Sequence, residues 1–122
     1  MTLPAEPAAV GTARALLDRT LERAGVDEGR RFEALLVASE LVTNAVAHGS
    51  KKGDEIGVEV SVEGGRIRIG VRDAAHGRTA PVSLTPDQQR PTGRGLAIVE
   101  RFAEWDERIV DGRREVRAEL TL

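Results

Sequence analysis

The chain has 122 residues, a length that suits one domain around one buried core and is too short for two. Hydrophobic residues make up 40% and charged residues 31%, and 18 basic against 20 acidic residues leave a formal charge of −2; this excludes a disordered chain and one that holds nucleic acid by bulk positive charge. With no cysteine, and only Phe32, Phe102 and Trp105 as aromatic residues, disulfides, thiolate metal sites and a cysteine nucleophile are excluded, as is a stacking platform for single-stranded bases.

The opening "MTLPAEPAAVG" lacks the basic flank and apolar core of a secretory signal. No run approaches the roughly 18 apolar residues needed to cross a bilayer. A cytoplasmic protein without membrane or nucleic-acid partners is expected. Residues 1–7, with Pro4 and Pro7, read as an irregular lead-in to a single domain spanning 1–122. From Ala8 to about Ala24, apolar residues at Val10, Ala13, Leu16, Leu17, Leu21 and Ala24 recur at helical spacing, and Gly25 supplies a stop. A second helix starts at the N-cap Asp27, followed by Glu28, and runs to Gly49.

The period then changes. In "EIGVEVSVE", Ile56, Val58, Val60 and Val62 alternate with small or polar residues, the pattern of a half-buried strand. Gly64-Gly65 is a hairpin turn. "RIRIGVRD" alternates again, with Ile67, Ile69 and Val71 opposite Arg66, Arg68 and Arg72. Residues 74–91 carry three prolines and no periodicity, which in a compact domain marks a lid or binding loop. "TGRGLAIVERFAEW" returns to helical spacing through Leu96, Val99 and Phe102 or Ala103. "ERIV" and "EVRAELTL" form two last strands around Asp111-Gly112. The order predicts an α/β two-layer sandwich: a mixed, mostly antiparallel sheet with helices packed on one face.

Three features bear on chemistry. On the second helix, Leu35, Ala38, Leu41, Val42, Ala45 and Val46 fall on one side, and Glu33, Glu40, Asn44 and His48 on the other. Glu40 and Asn44, at i and i+4, stack about 6 Å apart along the axis. A solvated polar face explains such a stripe by itself. Against that, Val37 and Ala47 flank the stripe, and Asn and His are mediocre helix formers. Asp73 ends an apolar strand and opens the long loop, a place where Asp also serves as a plain turn initiator. In "TGRGLAIV", Gly93 and Gly95 allow close backbone approach to a ligand ahead of a helix whose first amides are free for an anion. The same residues suit a simple turn. They form neither a P-loop, since no Lys-Ser/Thr follows, nor a dinucleotide fingerprint, since no strand leads in and a third glycine is missing.

In order and spacing together, these features resemble the ATP-binding domain shared by gyrase, histidine kinases and mismatch-repair ATPases, the GHKL superfamily. "SELVTNAVAHG" is similar to the N-box, and "TGRGLAIVERFAEW" to the second glycine box, of its small stand-alone bacterial members, the anti-sigma-factor serine kinases of partner-switching systems. The similarity covers roughly residues 10–122. It implies that Asn44 coordinates the Mg²⁺ bridging the phosphates of ATP. It implies Glu40 as general base toward the attacking hydroxyl and Asp73 as acceptor for the adenine amino group. Gly93, Arg94, Gly95 and Leu96 would wrap the phosphates with backbone amides beside Thr92, and His48 would lie near them. Residues 74–91 become the ATP lid.

The chain departs from that pattern at the first glycine box, Asp-x-Gly-x-Gly. "DAAHG" retains Gly77 but has Ala75 in the first glycine position, where a methyl group would narrow the adenine pocket or change the backbone. Relatives also open with a strand through which they can dimerise, for which this chain offers at most Thr2 and Leu3; a homodimer stays open. The resemblance implies a Mg-ATP-dependent serine/threonine kinase that acts on an anti-sigma-factor antagonist and sequesters a sigma factor. The alternative is a module that binds ATP and a protein partner without transferring phosphate. A severed histidine-kinase catalytic domain ranks lower, since neither His48 nor His76 has the setting of a phospho-acceptor, and a metal-dependent hydrolase lower still.

Overall fold

The computed structural model describes residues 1–74 and 97–122, and the backbone of residues 94–96. The elements, in chain order, are β1 (Thr2–Pro4), α1 (Ala8–Arg23), α2 (Glu28–His48), β2 (Glu55–Glu63), β3 (Arg66–Asp73), α3 (Arg94–Phe102), β4 (Glu104–Val110) and β5 (Arg113–Thr121). The five strands form one sheet in the order β1-β2-β3-β5-β4. Every pairing among them is antiparallel, which resolves the expected mixed sheet toward the antiparallel form. The lid expected over 74–91 lies outside the described residues apart from Ala74, as do Ala75, Gly77, Thr92 and Gly93.

Local chemistry sets most of these boundaries. Asp27, in extended backbone, accepts a hydrogen bond from the Arg30 amide at 2.9 Å, capping α2. Gly25, at φ 78°, closes α1: its amide bonds to the Glu22 carbonyl, and the Val26 amide reaches back to the Leu21 carbonyl. That is a Schellman cap, and both Val26 and Leu21 are buried beneath it. The two hairpins turn on Gly64-Gly65 (φ 60° and 74°) and Asp111-Gly112 (φ 52° and 76°). Positive φ at both central residues matches the right-handed twist of the flanking strands.

The core lies between the helices and the inner sheet face. Ala9, Ala13, Leu17 and Leu21 of α1, and Ala34, Val37, Ala38, Leu41, Val42 and Ala45 of α2, are buried against Ile56, Val58, Ile67, Ile69, Val71, Val116, Ala118 and Leu120. Val37, expected at the border of the polar stripe, is completely buried. The reason is that α1 and α3 both pack against α2, so α2 is covered over a wider arc than the sheet alone would cover. The outer sheet face carries a charge ladder. Arg66 and Arg68 share Glu119, and Arg72 lies between Glu59 and Glu115. The hydrogen bond from Arg66 holds the Glu119 carboxyl below its usual range. These pairs are exposed, and their value lies in solubility and register more than in stability.

Two sequence expectations are corrected. Residues 1–7 are not irregular throughout, because Thr2–Pro4 form an edge strand on β2, with Leu3 opposite Ile56. The Met1 ammonium donates to the Val58 carbonyl at 2.9 Å, and burial of Leu3 anchors the strand. Pro4, which has no amide to donate, is tolerated at a sheet edge. Three residues are too few to show a period. Secondly, the strand expected from Glu107 starts earlier, at Glu104, directly after a helix whose spacing ends at Phe102 as expected. α3 ends at Phe102, the Ala103 amide closes on the Val99 carbonyl at 2.8 Å, and Trp105 belongs to β4, opposite Ala118. Pairing along the length of β5 sets this earlier start.

Asp27→Ala should lower the unfolding free energy by about 0.5–2 kcal/mol, the usual cost of losing an N-cap; urea denaturation followed by circular dichroism measures it.

Candidate functional site

The α2 stripe supplies the first part of the site. Glu40 and Asn44 are half-exposed and His48 is exposed, as are Thr43 and Ala47 beside them, while Leu41, Val42 and Ala45 on the other side of the helix are buried. The helix is therefore held rigidly by its apolar side and presents a carboxylate and an amide one turn apart. Among the described residues, neither the Glu40 carboxylate nor the Asn44 side-chain amide is engaged in a hydrogen bond or ion pair. His48 is the last residue of α2, and the Gly49 amide closes the helix on the Ala45 carbonyl.

The second part lies at the end of the central strands. Asp73 shares the inward face of β3 with Ile67, Ile69 and Val71, and is 1% exposed. Directly opposite in register is Arg114 of β5, which is 2% exposed. Arg114 donates from Nε to Asp73 Oδ2 at 2.7 Å, and its Nη2 lies 2.5 Å from the same oxygen. Its Nη1 reaches Glu107 Oε1 at 3.3 Å. Glu107 is buried on β4, diagonal to Arg114 across the strand pair. The remaining contact, from Nη2 to the main-chain carbonyl of Asn44 at 3.4 Å, joins this cluster to α2.

Helix and carboxylate meet at Gly49. A Cβ on Gly49 would lie 1.9 Å from Asp73 Oδ2 and 2.2 Å from its Cγ. Only glycine lets the end of α2 pass this close to Asp73.

The structure thus brings Asn44 and Asp73 to the same end of the molecule, linked through Arg114. Arg94, Gly95 and Leu96 form the first turn of α3, which packs against α2. Gly77, Thr92 and Gly93 lie outside the described residues. Sequence reasoning missed Arg114, Glu107 and the second role of Gly49. A signal was present for two of them: Arg114 has the parity of the inward Val116 and Ala118, and Glu107 that of Ile109. A charged residue on the inward parity of a strand is either paired or functional.

Among the described residues, three helices pack on one face of an antiparallel sheet, and a polar helix stripe lies at the same end of this α/β sandwich as a buried carboxylate. Residues 3–120 match the model of the histidine kinase-like ATPase domain, and the chain belongs to that family. No curated protein matches the chain. Family membership implies ATP as the ligand, typically with Mg²⁺, and the residues present fit both. A buried carboxylate suits an amino donor, and one half-exposed amide oxygen is enough for an ion that keeps several waters and takes its other ligands from phosphates.

Gly49→Ala should destabilise the protein by about 1–3 kcal/mol, as forced overpacking does; thermal unfolding with and without Mg-ATP checks it, and a wild-type melting curve would show that Asp73 can move away without cost.

Proposed function

We propose that the chain is a Mg-ATP-dependent serine/threonine kinase of a bacterial partner-switching system. In this reading it phosphorylates a small anti-sigma-factor antagonist and sequesters a sigma factor. The observation that carries it is the pairing of Glu40 and Asn44 one turn apart on the half-exposed side of a helix whose other side is committed to the core, with no partner for the Glu40 carboxylate among the described residues. A stripe serving only solubility would have no reason to stand at the end of the molecule where Asp73 is held.

Mg-ATP supplies the transferable γ-phosphoryl group and the charge neutralisation of its oxygens. The chain's own residues have separate tasks. Asp73 accepts from the adenine amino group. Asn44 offers its side-chain oxygen to the metal. The amides of Gly93, Arg94, Gly95 and Leu96 receive the phosphates at the N-terminus of α3, beside Thr92 and near His48. Glu40 takes the proton from the serine or threonine hydroxyl as its oxygen attacks, and ADP leaves with the electrons of the broken P–O bond. Residues 74–91, Gly77 among them, serve as the lid.

A second reading, a module that binds ATP and a partner without phosphotransfer, is favoured by Ala75 in the first glycine position of the box after Asp73. Two substitutions separate the readings. Glu40→Gln keeps the shape but cannot take a proton; it should leave ATP binding nearly intact and slow transfer to the antagonist by roughly 10²–10⁴-fold, the usual worth of a general base. Asn44→Ala should weaken Mg-ATP binding together with turnover. Calorimetry with Mg-ATP and a radiolabel transfer assay on purified antagonist are the measurements. Wild-type protein that binds Mg-ATP but transfers nothing selects the second reading, and absence of ATP binding at millimolar concentration refutes both.

A further inference from the structure

The Asp73–Arg114–Glu107 cluster contains a buried cation for which the phosphoryl chemistry has no use. Arg114 is not a surface side chain that happens to lean on Asp73. It is 2% exposed, stands directly across the ladder from Asp73, and spends its planar fork on three elements at once: Asp73 on β3, Glu107 on β4 and the Asn44 carbonyl on α2. Glu107 fixes the guanidinium from the far side, and the guanidinium contacts Asp73 Oδ2 through two nitrogens. Gly49 confines the carboxylate on a further side, since even one added carbon there would overlap it. The Asp73 carboxylate is clamped in one orientation.

Clamping matters for selectivity. A carboxylate that can rotate re-pairs with whatever enters, and discriminates weakly. One held in place meets a 6-amino group at a fixed geometry, and a purine that lacks the group forgoes that bond. We infer that Arg114 is a positioning residue that fixes Asp73 for selection of 6-aminopurine nucleotides. The inference rests on the reading of Asp73 as the base acceptor. Through its bond to the Asn44 carbonyl, the same guanidinium ties the base end of the site to the helix that offers the metal ligand.

The test compares two nucleotides on the full chain by calorimetry: ATP, and purine riboside triphosphate, which differs by the missing 6-amino group. Wild-type protein should prefer ATP, and Asp73→Asn should abolish the preference. Arg114→Lys keeps a positive charge but cannot span the three partners; it should weaken ATP binding about tenfold, the usual scale for a disturbed buried hydrogen bond. Binding of the purine riboside analogue should fall by less than about threefold, because it never used that bond. Glu107→Leu combined with Arg114→Met, which removes a carboxylate together with the cation so that the fold is not left with two unpaired buried charges, should lose the preference in the same way. Adding Asp73→Asn to Arg114→Lys should change the ratio no further. Equal loss for both nucleotides, or an unchanged ratio in both Arg114 variants while Asp73→Asn loses it, overturns the inference and leaves Arg114 a purely structural residue. A wild-type preference that survives Asp73→Asn refutes the base-acceptor assignment itself, and the inference with it.

Discussion

One buried guanidinium organises the end of this molecule where α2 meets β3 and β4. Arg114 holds Asp73, Glu107 and a main-chain carbonyl of α2 within hydrogen-bonding reach, and each partner comes from a different element. Taking a cation and two carboxylates out of water costs several kcal/mol per ion, and the attraction among them offsets this only when the geometry is good. Such a cluster is a poor way to gain stability and an effective way to fix relative positions. If β3, β5 and α2 shifted against one another by an ångström, the contacts that offset desolvation would be lost. The same requirement explains Gly49, whose missing side chain is the space the Asp73 carboxylate uses.

The rest of the fold serves this placement. The inner sheet face and the α1–α2 pair form a continuous apolar core from Leu3 to Leu120, and dense packing there leaves α2 little freedom to rotate. Since α1, α3 and the sheet all lie against α2, one side of the helix is fully covered, and the side left partly to solvent contains Glu40, Asn44 and His48. Those side chains are therefore presented at fixed angles by a rigid element. On the opposite side of the sheet, the arginine and glutamate rows of β2, β3 and β5 pair across strands and keep that face wet, consistent with a site that lies at the end of the sandwich near Asp73.

Much of this was legible beforehand. Alternation of Ile67, Ile69 and Val71 against Arg66, Arg68 and Arg72 assigned the faces of β3 correctly, because a strand's side chains have no choice but to alternate. Asp27, Gly25, Gly64-Gly65 and Asp111-Gly112 marked helix ends and turns, since cap and turn chemistry involves residues only a few positions apart. The Glu40–Asn44 stripe was readable for the same reason. Less legible were the three-residue β1, too short for a period to show, and Trp105, which lies before the strand expected from Glu107 and whose partner Ala118 is supplied by a later strand.

The amino-acid sequence by itself determined the two-layer class, the strand faces, the turns and the polar stripe, because those depend on periodicity and on neighbours along the chain. It also carried the motif order that marks a histidine kinase-like ATPase domain. The insertion of β5 between β3 and β4, the full burial of Val37, and the meeting of Asp73 with Arg114 and Gly49 were decided by tertiary structure. Asp73 and Arg114 are 41 positions apart, and nothing in either neighbourhood specifies the other. Their pairing follows from strand register, which is set by the fit of the whole core.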